Sequence, residues 1–323
     1  MTSVINWIGA LGACVTLGAY AAPVQCIAPA KPGGGMALTC KLIQKGLQLP
    51  AAGAARDTPV KISYLPGGIG AVAWNSIVTQ RRAEADTLVV FSGGSLMNLA
   101  QGKYGDADVG NVRWVAAVGV DYGMIAVRAD SPYKTLQDLL DALKKNPGQI
   151  TIGAAGTVGS QDWLKISMLV KQKRIDPKIL RFVALEGGGE AFTALHAGHV
   201  QVVSGDASEA TLHSLDGEIR VLAVLSDQRL PGALAHVPTA REQGMPVSWP
   251  IIRGVYVGPQ VSDADYQRWV GTFDKMTATP EFDRLRAGNG LYPFAMSGDK
   301  LTAYIRKTVD DYRRQSIQLG LIR

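Results

Sequence analysis

Residues 24–47 read VQCIAPAKPGGGMALTCKLIQKGL. Val24 to Ala28 is a short apolar run of strand character. Pro32-Gly33-Gly34-Gly35 then breaks the chain, and from Met36 to Leu47 apolar residues return at helical spacing. The unit is therefore strand, glycine loop, helix, and it recurs. Val60 to Leu65 predicts a strand, Pro66-Gly67-Gly68-Ile69-Gly70 a loop, and Val72 to Arg81 a helix. Thr87 to Phe91 is a continuous apolar strand followed by Ser92-Gly93-Gly94-Ser95. Ile150 to Ala154 runs into Gly153-Ala154-Ala155-Gly156-Thr157-Val158-Gly159-Ser160 and a helix to Lys173, and Leu180 to Ala184 precedes Gly187-Gly188-Gly189.

The intervening segments fit the same alternation. Trp114 to Val120 and Met124 to Val127 predict two strands separated by Asp121-Tyr122-Gly123. Thr135 with Asp138 has capping-box spacing and opens a helix to Lys145, which Asn146-Pro147-Gly148 stops. Val200 to Ser204, Ile219 to Leu225 and Ile251 to Val257 are further apolar strands; Ser262 with Asp265 starts another helix, and Ser297 precedes a long amphipathic one over Lys300 to Leu319. Apolar strands alternating with helices predict an α/β fold, its sheets covered on both faces. With 323 residues, two domains are expected. No Pro/Gly-rich linker separates them, so crossing strands are the expected connection.

Composition excludes several classes. Lys plus Arg is 33 and Asp plus Glu 27, giving a formal charge of +6, and charged residues are only 19% of the chain. With 47% hydrophobic residues the chain is not disordered. Its 37 glycines have no three-residue period, so it is no collagen. Three cysteines are too few for a disulfide scaffold, and the basic residues are too dispersed for a nucleic-acid surface.

Residues 1–21 contain no charged side chain and end in Ala19-Tyr20-Ala21, which predicts a secretory signal peptide cleaved after Ala21. A membrane anchor and a lipoprotein signal at Cys14 are the alternatives. Export would leave Cys26 and Cys40 as an even pair in an oxidising compartment, where a disulfide is expected rather than two free thiols.

The five glycine loops each follow a strand, the edge at which open α/β sheets bind ligands. Glycine lets backbone N–H groups approach a ligand, and a helix N-terminus adds partial positive charge. Such loops suit carboxylate or phosphate. No Gly-Lys-Ser/Thr phosphate loop is present. Gly68-Ile69-Gly70-Ala71-Val72-Ala73 fits a dinucleotide fingerprint, but Glu84 and Asp86 are misplaced for the ribose acid. No Gly-x-Ser-x-Gly elbow occurs. His196 and His199 lack the Glu of a zinc helix, and no metal site is expected. Asp206, ending a strand, is expected either at the pocket edge or as the cap of the next helix.

Taken in order, these motifs resemble the substrate-binding receptors of tripartite tricarboxylate transporters, the Bug family. The resemblance rests on Cys26 to Gly35 with Leu38-Thr39-Cys40, Tyr64 to Ala71, Phe91 to Ser95, Asp121 to Pro132 and Gly159 to Trp163. It continues through Glu186 to Glu190, Val202 to Asp206, Val237 to Gly244 and Trp249 to Arg253. The Cys-bracketed first loop resembles the tricarboxylate-binding branch. The resemblance implies a two-lobed Venus-flytrap fold of periplasmic-binding-protein type II, each lobe a mixed, mostly parallel sheet with flanking helices. Lobe 1 is expected over 23–123 plus 226–323 and lobe 2 over 124–225. The implied function is periplasmic capture of a small di- or tricarboxylate, citrate-like, for a two-component membrane permease. It involves no enzymatic chemistry, no cofactor and no nucleic acid, and the receptor is expected to be monomeric. An exported carboxylate-acting enzyme and a sensing receptor of the same fold are the rivals. The implied ligand residues are Pro32, Gly33, Gly34, Gly35 and Met36 in the first loop, and Pro66, Gly67, Gly68 and Gly70 in the second. Ser92, Gly93 and Ser95 follow in the third, Gly156, Thr157, Ser160 and Gln161 in the fourth, with Asp206 at a strand end. Family members commonly carry Asp two residues after the three glycines; here that position is Ala37.

Overall fold

The computed structural model describes residues 23–214 and 216–323. The expected signal segment with Cys14 lies outside the described residues. No helix among those described is long and apolar enough to cross a membrane.

The opening unit folds as its pattern predicts, with strand β1 (Val24–Ala28) leading through the glycine loop into helix α1 (Gly35–Gly46). Cys26 on the strand and Cys40 on the helix are joined by a disulfide and are fully buried. Closing a loop of that length stabilises by about 3 kcal/mol in the chain-entropy account. Two more units follow: β2 (Val60–Tyr64) with α2 (Ala71–Thr79), and β3 (Thr87–Ser92) with α3 (Gly93–Ala100). β1 pairs in parallel with both β2 and β3.

The chain then enters β4 (Arg113–Arg128), one strand of sixteen residues where the sequence predicts two. Asp121 does not interrupt it, because the rest of the molecule supplies its carboxylate with donors. Tyr122 N, Ser208 N, Ser208 Oγ and Arg253 Nη2 lie at 2.8, 3.1, 2.6 and 2.9 Å. β4 serves two sheets. Its first half pairs antiparallel with β9 (Pro250–Val257) and β10 (Met296–Ser297), giving the order β2-β1-β3-β9-β4-β10. From Gly123 onward it pairs antiparallel with β7 (Val202–Asp206) and β8 (Ile219–Leu225). β5 (Thr151–Ala155) and β6 (Arg181–Leu185) extend that second sheet in parallel, giving β6-β5-β7-β4-β8. Parallel pairing thus marks the outer strand–loop–helix units, and antiparallel pairing the strands that cross between sheets.

Helices cover both faces of each sheet. The second sheet carries α4 (Leu136–Lys145), α5 (Gln161–Gln172), α6 (Gly188–His196) and α7 (Ala207–His213). The Thr135–Asp138 capping box forms in both directions at the start of α4. The first sheet carries α8 (Asp263–Thr277), capped by Ser262, and α9 (Pro280–Gly288), which starts at Thr279-Pro280 and buries Phe282. The long α10 (Gly298–Gln318) lies on α3 and β4, and beyond it Leu319 and Leu321 pack against the second core.

Residues 226–249 form no strand, yet they stay with the second sheet. Ala240 N donates to Val224 O (2.9 Å) and Trp249 N to Leu225 O (2.7 Å). Leu230, Leu234 and Val237 pack with Phe192 and Val203, while Met245, Val247 and Trp249 pack with Leu139 and Ile152. We therefore place lobe 1 at 23–122 plus 250–323 and lobe 2 at 123–249. We propose these bounds in place of 23–123 plus 226–323 and 124–225, since the irregular apolar spacing after Leu225 carries no periodic signal of where the chain belongs.

Candidate functional site

The two sheets face each other with the carboxyl ends of their parallel strands, and a cleft lies between. Its empty volume is about 620 Å³ including the open mouth. Lobe 1 contributes Pro29 and Ala30 after β1, Gly34 to Met36 at the start of α1, Ile69, and Ser92, Gly94, Ser95 and Asn98 around the start of α3. Lobe 2 contributes Ala155, Ser160, Gln161 and Asp162, then Glu186 to Gly188 and Asp206 with Glu209. Arg253 reaches in from β9.

Of the residues expected from sequence, Gly34, Gly35, Met36, Ser92, Ser95, Ser160, Gln161 and Asp206 line the cleft together. The others support it from outside the lining. Pro32 and Gly33 press against Gly189 of the opposite lobe. Pro66, Gly67, Gly68 and Gly70 do not reach the cleft. Gly67, Gly68 and Gly70 adopt φ of 127°, 57° and 95°, which glycine accepts at little cost. The resulting turn presents Ile69, whose carbonyl accepts from Asn98 Nδ2 (3.1 Å) and Tyr104 Oη (2.9 Å). Gly93 lies behind Gln161. Gly156, at φ 88°, shapes the turn before α5, and Thr157 stands outside on an exposed contact with Lys103.

Asp206 occupies the pocket edge, but its carboxylate is not free. It pairs with Lys165 and Arg253, both almost fully buried. Lys165 Nζ also contacts Asp162 (2.6 Å) and Gly205 O (2.9 Å), and Arg253 Nη2 also pairs with Asp121 (2.9 Å). Glu209 completes the group. It accepts from Gly35 N at 2.8 Å and from Asp206 N at 3.3 Å. A carboxylate of the protein itself therefore sits at the N-terminus of α1, where helix dipole and backbone N–H favour negative charge. Gly188 is glycine because any Cβ there would overlap that carboxylate, and a Cβ on Gly35 would overlap the Arg253 guanidinium.

Four buried acids thus share two cations. Burial pushes the Glu209 carboxyl up to about 8, and the charges of Asp206 and Asp162 add to the rise. Burial also raises Asp162 to about 6, against the opposing pull of Lys165, and raises Asp121, against Arg253. For Asp206 burial alone would raise the carboxyl, but Lys165 and Arg253 outweigh it and hold it below its ordinary value.

Asp121, Asp162, Lys165, Glu209 and Arg253 carried no assigned role in the sequence. Two signals were legible. Arg253 interrupts the apolar run Ile251 to Val257, and a charged residue within a buried strand needs a partner. Glu209 stands three residues after Asp206, the capping-box spacing. Neither histidine nor cysteine lines the cleft.

Comparison with known proteins agrees with this architecture. A family model described as the tripartite tricarboxylate transporter family receptor matches residues 107–321, well over half of the chain. A protein of Cupriavidus necator named the UPF0065 protein in the gbd 5' region is 26% identical over 206 residues, covering 63% of this chain and 60% of that relative. Among solved structures, the periplasmic binding protein BugD superposes with a TM-score of 0.79 at 18% identity, covering 92% of this chain and 97% of its own. MatC of Rhodopseudomonas palustris, solved with bound malate, superposes with a TM-score of 0.76 at 18% identity, covering 90% and 98%.

Proposed function

This chain belongs to the tripartite tricarboxylate transporter receptor family, whose members are solute-binding receptors rather than enzymes, and from that premise we propose that it is exported by residues 1–21 and captures a small carboxylate in the periplasm. The observation that carries this reading is the cleft itself. It is built at converging strand ends and helix starts, lined by Gly34, Met36, Ser92, Ser95 and Asn98, groups that can donate to a carboxylate without a dedicated cation, whereas Gly35 N is already given to Glu209. A structural relative is solved with malate, a ligand of that kind. The lobes would close over the ligand and present it to a two-component membrane permease. Of the carboxylates expected from the first loop, those of low charge fit best. The acids of the cleft floor oppose each further negative charge of a citrate-like ligand by up to about 4 kcal/mol at close range.

A thermal-shift panel of citrate, tricarballylate, malate, succinate and monocarboxylates tests this. A ligand present at 100 times its Kd adds about 2.7 kcal/mol to stability, a readily measured rise in Tm. The reading is lost if neutral sugars shift Tm and no carboxylate does.

Closure has its own test. A Cβ on Gly189 would stand 2.7 Å from Gly33 C, 2.9 Å from Pro32 O and 3.0 Å from Gly34 N, all backbone atoms of the opposite lobe. Gly189→Ala is expected to hold the lobes apart. Ligand affinity should fall at least about tenfold, the equivalent of about 1.4 kcal/mol, while the unliganded Tm changes little. Full affinity in the variant would show that binding does not require this contact.

A further inference from the structure

A carboxylate cleft would be expected to hold a surplus of cations, and this one holds a deficit. Asp162, Glu186, Asp206 and Glu209 line it, against Arg253 as the one cation among its lining residues. Arg253 pairs through Nη2 with Asp121 and Asp206, while its buried Nε has no partner, and Lys165, behind the wall, pairs with Asp162 and Asp206. Nothing among the described residues offsets Glu186. No cation lies within ion-pair distance of it, and its Oε2 is buried without a hydrogen-bond partner. Gln161 Oε1 is buried and unpartnered in the same way. A buried acceptor left unmatched costs roughly 1–3 kcal/mol, and two of them beside one cleft ask for a donor from the ligand.

The imbalance is also divided by lobe. Both lobes face the cleft with helix starts and serine hydroxyls, Ser92 and Ser95 on lobe 1 and Ser160 on lobe 2, but lobe 2 alone brings acids, Asp162, Glu186, Asp206 and Glu209, together with Gln161. We propose that the ligand carries a protonated nitrogen as well as a carboxylate, the carboxylate held by lobe 1 and the nitrogen by the acceptors of lobe 2, chiefly Glu186 and Gln161. This rests on the cleft being a carboxylate site and narrows its ligand to aminocarboxylates. Such a ligand bridges the two lobes with opposite ends, so each end stabilises the closed form. A proton on Glu209 would not remove the need for it: Glu186 Oε2 and Gln161 Oε1 would still lack a donor.

Titration calorimetry with matched pairs tests the proposal: aspartate against succinate, and 4-aminobutyrate against butyrate. In each pair the compounds share their carboxylates and differ by one ammonium group. The amino member of at least one pair is expected to bind about tenfold or more tightly, and Glu186→Gln to reduce that gap by weakening the amino member while the non-amino acid binds no more weakly than before. If succinate and butyrate bind as well as their amino partners, the proposal falls and the carboxylate reading stands. If 1,4-diaminobutane binds as tightly as the amino acids, the nitrogen subsite stands and the carboxylate reading falls. If none of these compounds binds, both fall. A Glu186→Gln variant that weakens both members of a pair equally would remove Glu186 from the subsite.

Discussion

Arg253→Met is expected to lower folding stability by about 3–5 kcal/mol, the usual cost of removing one partner from a buried charge network. The guanidinium is 2% exposed and is shared by Asp121 and Asp206. Methionine fills much of the volume but leaves Asp121 without a cation and Asp206 with Lys165 alone. The sign of the pH dependence follows. Stranded acids take up protons more readily in the folded protein than in the unfolded chain, so the loss should shrink as the pH is lowered from 8 to 5. Adding Asp121→Asn should restore part of the stability, because it removes one of the stranded charges and keeps an acceptor for Ser208. Urea unfolding of the three proteins measures this. A single-variant loss below about 1 kcal/mol at pH 8 would mean the network is solvated and structurally minor.

Glu209→Gln is expected to change the pH dependence of stability rather than its level at acid pH. The Glu209 carboxyl lies at about 8 in the folded protein against an ordinary 4.5. The raised value means the native state holds a proton that the unfolded chain has released. Its stabilising contribution is complete below about 4.5 and is lost as the pH rises through 8. Between pH 6 and 9 the loss comes to roughly 2–3 kcal/mol. Glutamine is neutral throughout, so the wild type should lose more stability across this window than the variant, in which the raised carboxyls of Asp162 and Asp121 still titrate. His213, lowered chiefly by burial, acts in the opposite direction and toward the acid end of the window, so the difference between the two curves isolates Glu209. Parallel curves for the two proteins would place Glu209 among ordinary ionised carboxylates.

Much of the fold was legible because it is written locally. β1, the glycine loop and α1 follow from residues 24–47 alone, and the Thr135–Asp138 and Ser262–Asp265 spacings mark helix starts that form as expected. The same local logic fails at Asp121. A polar Asp-Tyr-Gly within apolar sequence reads as a turn, yet β4 passes straight through it, since Ser208 and Arg253, 87 and 132 residues away, satisfy the carboxylate. It fails again over 226–249, where apolar residues lack periodicity and their assignment to lobe 2 depends on pairing with Val224 and Leu225.

The candidate site divides along the same line. Glycine loops at strand ends announced a cleft, and Gly34 to Met36, Ser92, Ser95, Ser160 and Gln161 do meet there. The second loop's glycines, implied at the ligand by the family resemblance, lie outside the cleft lining, and their positive φ values shape the turn that carries Ile69.

By itself the sequence determined the strand–loop–helix units, the helix caps, the family, and the edge of the sheets at which a ligand site would form. Each of these depends on residues a few positions apart, or on the order of short motifs. Only the tertiary structure decided that Asp206 faces Lys165 and Arg253, that Glu209 fills the N-terminus of α1, and that lobe 2 is left with acceptors unmatched. Those outcomes depend on which charges meet once water is excluded. In a low-dielectric interior the partner, and not the residue type, sets whether a carboxylate is a ligand contact, an ion pair or a proton holder.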